Sequence, residues 1–307
     1  MAKKAFVFPG QASQFVGMGK DFYSQSPLAR EIYDQAAGYF DFDLKTLSFE
    51  GPLKDLTQTR VAQPAIFVLS IILFEELKNR GYLPDLVAGH SLGEYSALVA
   101  AGSFSFLDGL QLVKLRAEEM QKAAEITPGT MAAVIGLERA QIQQVIDEST
   151  VEGVCQIANL NAPSQIVISG DVFKVQSLMG ELKKAGAKLV IELTVGGAFH
   201  SALMNPAQAK LQQALEQAAI KPPICPVYCN VTGKPTTDPE EIRQNLISQL
   251  TAPVLWVETI ANMLSDGADN FIEVGPGKVL QNLIKRIAPE AKIQGIGTYQ
   301  DLEQLCS

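Results

Sequence analysis

Histidine is almost missing from this sequence: His90 and His200 are the only two in 307 residues. Any chemistry that needs imidazole has just two candidates, and a zinc site built from nitrogen and sulfur ligands has little to draw on. The four cysteines (Cys155, Cys225, Cys229 and Cys306) show no CxxC spacing, and neither histidine lies near a cysteine pair. They read as small buried thiols of a reducing compartment. Basic charge is also short, with 25 Lys and Arg against 33 Asp and Glu and a net charge of -8. That balance excludes general nucleic-acid binding, which needs a basic surface. The longest apolar run, 65–74, is about half of a membrane span and ends in Glu75-Glu76. The opening MAKKAFVFPG has a four-residue apolar stretch, too short for a signal-peptide core. No membrane association and a cytoplasmic location are therefore expected.

What is present reads as α/β material, 47% hydrophobic and 19% charged, without low-complexity tracts or internal repeats. A short apolar strand at 5–8 breaks at Pro9-Gly10. Helical spacing covers 28–40 and 61–80, and a buried strand at 86–88 runs into a helix at 92–101. A long helix over 106–125 stops at Pro128-Gly129. The next stretch reads strand 131–135, helix 139–148, strands 155–158 and 165–169, helix 172–185 and strand 188–193. That order, βαββαβ, is the split arrangement of ferredoxin-like domains. The natural parse is a catalytic α/β domain from 1–127 and 197–307 with an inserted ferredoxin-like subdomain at 128–196. Helices are expected at 208–219, 240–250, 257–266 and 278–287, with strands at 227–230 and 271–274.

Gly89-His90-Ser91-Leu92-Gly93 matches the nucleophile-elbow pattern, and its strand-turn-helix context strengthens a motif that is weak alone. Such a turn exposes a serine hydroxyl beside a helix N-terminus, where free N–H groups, that of Leu92 among them, stabilise an oxyanion. The alternative is a structural turn in which Ser91 caps the helix. A serine nucleophile needs a base. His90 should diverge from Ser91 on a sharp turn, which leaves His200, carried by the glycine-containing loop Val195-Gly196-Gly197-Ala198-Phe199. Its competing reading is a structural histidine donating to a carbonyl. Asp108, Asp147 and Asp171 lie between the two in sequence, yet none sits in a pattern that marks a triad acid. A backbone carbonyl in place of a carboxylate stays open. Arg116 lies on a helix among Leu112, Val113 and Met120, and an arginine aimed at packed surface needs an anion. Two partners fit: an internal carboxylate, or a substrate carboxylate clamped bidentately. Lys183, Lys184 and Lys188 sit near a helix end, where cations complement the dipole.

Several separate segments together resemble the malonyl-CoA:acyl carrier protein transacylase family of bacterial fatty-acid synthesis. They are Phe8-Pro9-Gly10-Gln11-Ala12-Ser13-Gln14, Gln63-Pro64-Ala65, Gly89 through Glu94, Arg116 with Met120-Gln121, Phe199-His200-Ser201, and Gln249-Leu250 followed by Pro253-Val254. The resemblance implies a hydrolase-like three-layer α/β domain with a ferredoxin-like one. It implies that malonyl-CoA acylates Ser91, with His200 as base, and that the phosphopantetheine thiol of acyl carrier protein then takes the malonyl group. The Gln249 carbonyl would orient His200, and the N–H groups of Gln11 and Leu92 would form the oxyanion hole. Arg116 would hold the malonyl carboxylate, with Gln63 nearby. No metal or redox cofactor is implied, because a thioester is already activated. Ala12 departs from the family's usual glycine, while Phe199 resembles the malonyl-selective members. A thioesterase sharing the elbow, and a silent module binding carrier or acyl-CoA, are the competing functions.

Overall fold

The computed structural model describes residues 3–306. Its strands, in chain order, are β1 (Lys3–Phe8), β2 (Leu86–Gly89), β3 (Gly129–Ile135), β4 (Cys155–Ala162), β5 (Gln165–Asp171), β6 (Leu189–Glu192), β7 (Val227–Tyr228), β8 (Pro235–Thr236), β9 (Ala268–Val274) and β10 (Lys292–Ile296). Six of them form one sheet in the order β10-β9-β1-β2-β7-β8, parallel except for β8. The central strands are continuous apolar runs because both faces are covered. Phe6 and Phe8 of β1 join the core formed with helices Thr59–Asn79, Gly93–Ala100 and Phe106–Ile126. Ala5 and Val7 point the other way, to helices Trp256–Ser265 and Val279–Ile287. The result is three layers, helices on either side of a mostly parallel sheet.

The second sheet is antiparallel, in the order β4-β5-β3-β6. Helices Arg139–Glu148 and Val172–Lys184 cover it over a separate core that includes Ile142, Ile168, Leu178 and Val190. This is the ferredoxin-like arrangement. It is stitched to the larger part through β4: Val254 donates to the Ala158 carbonyl and accepts from Leu160 N–H, both at 2.9 Å.

Some elements lie outside the sequence expectation. Helices Lys20–Gln25, Leu44–Glu50 and Leu53–Leu56 are too short to show a period. Strand β10 is a half-exposed edge containing Gly295, and helix Tyr299–Cys306 packs against it. Strand β4 also extends four residues past its expected end at 158, because Asn159 and Asn161 are polar residues inside the strand. The 65–74 run lies in the buried part of helix Thr59–Asn79. No helix among the described residues is long and apolar enough to cross a membrane.

Candidate active site

The carboxyl ends of parallel strands place the central groups side by side. Phe8 of β1 pairs in register with Gly89 of β2, so Pro9-Gly10-Gln11 and His90-Ser91 leave the sheet together. A Cβ on Gly93 would lie 2.0 Å from the Phe8 carbonyl oxygen, and one on Gly89 would lie 1.9 Å from the Gly93 carbonyl. Only hydrogen fits at either position, and this packing sets the sharpness of the turn. Ser91 between them has φ 51°, in the left-handed region where side chains are disfavoured. A Cβ on Gly10 would sit 2.4 Å from the His90 carbonyl oxygen, so the loop carrying Gln11 rests directly on the elbow.

His200 reaches Ser91 from the segment that follows β6. Its Nε2 lies 2.8 Å from Ser91 Oγ, and its Nδ1 lies 2.8 Å from the Gln249 carbonyl oxygen. A carbonyl only accepts, so the neutral imidazole carries its proton on Nδ1 and presents a bare Nε2 to the hydroxyl. The segment is pinned by Gln156 of β4, whose Nε2 donates to the carbonyls of His200 and Thr251 and whose Oε1 accepts from Ala202 N–H. Burial, and then the positive charge of Arg116, lower the His200 pKa from 6.5 to about 3. The ring is therefore neutral at physiological pH. His90 diverges from the pair: its Nε2 meets Asn161 Oδ1 at 2.8 Å and its ring packs on Trp256.

Arg116 is fully buried. Its Nη1 donates to Gln63 Oε1 at 2.6 Å, and its Nη2 donates to Ser91 Oγ and to Gln249 Oε1, both at 3.0 Å. These acceptors are all neutral, and among the described residues no carboxylate lies within ion-pair distance of it. The internal salt bridge, one of the two partners the sequence allowed, is not there. Among the described residues its Nε has no hydrogen-bond partner, and its guanidinium carbon stands 5.7 Å from the centre of the Tyr95 ring. The buried carboxyl of Glu94 also acts on it electrostatically, and burial pushes that carboxyl up to about 7. A buried cation with neutral partners is costly unless an anion completes the site.

These groups line a cavity of about 200 Å³. Gln11, Ser91, Leu92 and Arg116 come from the larger α/β part, while Asn159, Asn161 and Val167 come from the antiparallel sheet. Phe199 closes another side. Among the described residues, neither Gln11 N–H nor Leu92 N–H has an acceptor. Ala12 has φ 80°, which explains why a glycine suits that position better. Gln63 Nε2 lies 3.4 Å from Gln11 Oε1, tying the helix that bears Gln63 to the Gln11 loop. Three further residues here escaped sequence reasoning. Asn161, inside β4, and Asn230, just beyond β7, carry no signal beyond being asparagines, and Glu94 is visible only as the residue after the elbow.

This α/β fold, with a serine–histidine pair at the carboxyl ends of its strands, is that of an acyltransferase. The chain belongs to the acyl transferase domain family, whose model matches residues 5–301, and within it to the malonyl CoA-acyl carrier protein transacylases. It is 44% identical over 304 residues to the malonyl CoA-acyl carrier protein transacylase of Bacillus subtilis (strain 168), covering 99% of this chain and 96% of that protein. The solved malonyl CoA-acyl carrier protein transacylase from Coxiella burnetii matches with a TM-score of 0.95 at 37% identity, covering 99% of this chain and 97% of that one. A malonyl-transacylase solved in complex with a holo type II polyketide acyl-carrier protein matches with a TM-score of 0.94 at 36% identity, over 99% of this chain and 98% of that one.

Proposed function

We propose that this chain transfers a malonyl group from CoA to the phosphopantetheine thiol of acyl carrier protein, through a malonyl-Ser91 intermediate, for fatty-acid chain elongation. The observation that carries the reading is Arg116: a buried cation with no carboxylate at ion-pair distance among the described residues, 3.0 Å from the hydroxyl that would be acylated.

His200 Nε2 takes the proton of Ser91 Oγ as the oxygen attacks the thioester carbonyl. The oxyanion that forms is stabilised by the N–H groups of Gln11 and Leu92. The C–S bond then breaks, and the proton passes from Nε2 to the CoA sulfur, leaving malonyl on Ser91. The carrier thiol repeats the sequence in reverse: it gives its proton to Nε2, its sulfur attacks the ester carbonyl, and Ser91 Oγ leaves and regains the proton. The Gln249 carbonyl holds the imidazole in the useful tautomer and stabilises the imidazolium, the part an acid plays in a triad. Arg116, with Gln63 fixing one arm of its fork, clamps the malonyl carboxylate. That carboxylate also offsets the positive charge that depresses His200, so the base strengthens when the right substrate is bound.

In this reading residues 128–196 form an inserted unit that walls the cleft, and 1–127 with 197–307 carry the chemistry. The four free thiols fit a cytoplasmic setting. The neighbour solved with a polyketide carrier makes such a carrier the alternative acceptor. Intact-mass measurement tests both. Mixing with malonyl-CoA should add one malonyl group, and adding fatty-acid carrier protein should remove it faster than a polyketide carrier or water does. Ser91→Ala should add nothing; malonyl transfer retained by that variant overturns the mechanism, and faster loss to water makes the protein a thioesterase.

A further inference from the structure

Two residues beneath the nucleophile have no role in the chemistry above, yet they are among the most buried polar groups, Asn230 at 0% and Glu94 at 1% exposure. Asn230 comes two residues after the end of β7. Its side-chain amide spans the elbow: Oδ1 accepts from Ser91 N–H, and Nδ2 donates to the Gly89 carbonyl, both at 2.7 Å. Its backbone N–H donates to Glu94 Oε2 at 3.0 Å, and the same oxygen accepts from Gln249 Nε2 at 2.9 Å. Gln249 Nε2 also reaches the Ser91 carbonyl at 3.0 Å. The bonds close a ring through Asn230, Ser91, Gln249 and Glu94. Gln249 is the member that leads outward, since its backbone carbonyl receives His200 and its Oε1 receives Arg116.

We propose that Asn230 and Glu94 are positioning residues for acyl transfer: Asn230 holds Ser91 in its left-handed turn, and Glu94 fixes Gln249, so that hydroxyl, imidazole and guanidinium keep their mutual distances. This rests on the catalytic reading of Ser91 and His200. A serine at φ 51° persists only where its surroundings over-determine it, and the Asn230 amide grips the two peptide groups that flank His90 and lead into Ser91. The Leu92 N–H and Ser91 Oγ both move with that turn. Glu94 acts as an acceptor of two N–H bonds and meets no Lys or Arg at ion-pair distance among the described residues. A neutral carboxamide oxygen at the same place accepts both bonds equally well.

The test compares Asn230→Ala, Asn230→Asp, Glu94→Ala and Glu94→Gln with the unmodified protein and with Ser91→Ala, by steady-state kinetics with malonyl-CoA and carrier protein and by thermal melting. Displacement of reacting groups by about 1 Å costs on the order of 100-fold in rate. Asn230→Ala should therefore lose about that much in kcat with the malonyl-CoA KM changed by less than about threefold. Asn230→Asp keeps the size and the acceptor for Ser91 N–H but loses the donor to Gly89. It should lose at least about tenfold in kcat with a similarly small change in KM, and it carries the test if the alanine variant does not fold. Glu94→Gln should recover at least about tenfold of the kcat lost in Glu94→Ala. The proposal is overturned if a folded Asn230 variant keeps kcat within about threefold, if losses appear in KM instead, or if Glu94→Gln is as poor as Glu94→Ala. Malonyl transfer by Ser91→Ala would instead remove the catalytic reading beneath the proposal; a dead Ser91→Ala beside unaffected Asn230 variants removes the proposal alone.

Discussion

At the scale of single residues, Arg116 decides more than any other. It touches Ser91 Oγ, the Gln63 amide and the Gln249 amide at once, and among the described residues no carboxylate meets it at contact. Charge-assisted hydrogen bonds contribute about 1.5–3 kcal/mol each, so removing the fork discriminates strongly between a charged and an uncharged acyl group. Arg116→Ala should lower malonyl transfer about 10–100-fold more than acetyl transfer. Parallel measurements of kcat/KM for the two acyl-CoA substrates check this, and equal losses would remove the clamp. The same variant should move the acid limb of the pH–rate profile upward. A general base works only when neutral, and Arg116 is one cause of the low His200 pKa. Without that charge the imidazole takes a proton at a higher pH, and activity fails sooner as pH falls. The pairing of His200 with Ser91 was legible from scarcity, because two histidines leave few choices. The imidazole's orienting group was legible only through the family resemblance, since a backbone carbonyl exists at every residue and no side chain marks Gln249 for that use.

At the scale of elements, the turn after β2 shows how packing fixes chemistry. Gly89 and Gly93 read in the sequence as permissive flanks of a turn; the structure makes them contacts, one against the other and one against β1. Gly93→Ala forces a methyl group to 2.0 Å from the Phe8 carbonyl, where the rigid backbone of a central strand cannot yield. Overpacking of this kind costs about 1–3 kcal/mol or more. The variant should melt at a lower temperature and accumulate little malonyl-enzyme, as read by thermal melting and intact mass. Unchanged melting and full acylation would show that the elbow is looser than this packing requires. Strand β4 illustrates the opposite limit of sequence reading. Asn159 and Asn161 ended the expected strand early because polar residues normally face water, whereas here they line a cavity between two sheets. Such conflicts between local pattern and structure are expected where residues line a site rather than a core.

At the scale of the whole molecule, burying titratable groups around one cleft couples the site to stability. Burial raises Glu94 from 4.5 to about 7 and, with Arg116, lowers His200 from 6.5 to about 3. The signs oppose each other. Between pH 4.5 and 7 the folded protein keeps a Glu94 proton that the unfolded chain gives up, so this contribution is lost as pH rises through about 7. Between pH 6.5 and 3 the unfolded chain takes a proton that folded His200 refuses, so stability is lost as pH falls. Above pH 6.5 Glu94 dominates the pair. Glu94→Gln removes its titration, worth on the order of 3 kcal/mol. The melting temperature of that variant relative to the unmodified protein should rise between pH 5 and pH 8. A difference that stays constant across that range would mean the carboxyl is not held protonated by burial.

The sequence by itself determined the α/β class, the βαββαβ order in 128–196, the elbow serine and the shortage of bases. Each of these is written in local terms: apolar periodicity, glycine spacing and residue counts. Only the tertiary structure decided that no carboxylate among the described residues lies within ion-pair distance of Arg116, and it brought the Gln249 carbonyl that the resemblance implied to 2.8 Å from the imidazole. It also decided that Asn230 reaches back from β7 to grip the turn after β2. Those facts depend on which strand ends lie side by side in a parallel sheet, where neighbours in space are far apart along the chain. No window of sequence contains them.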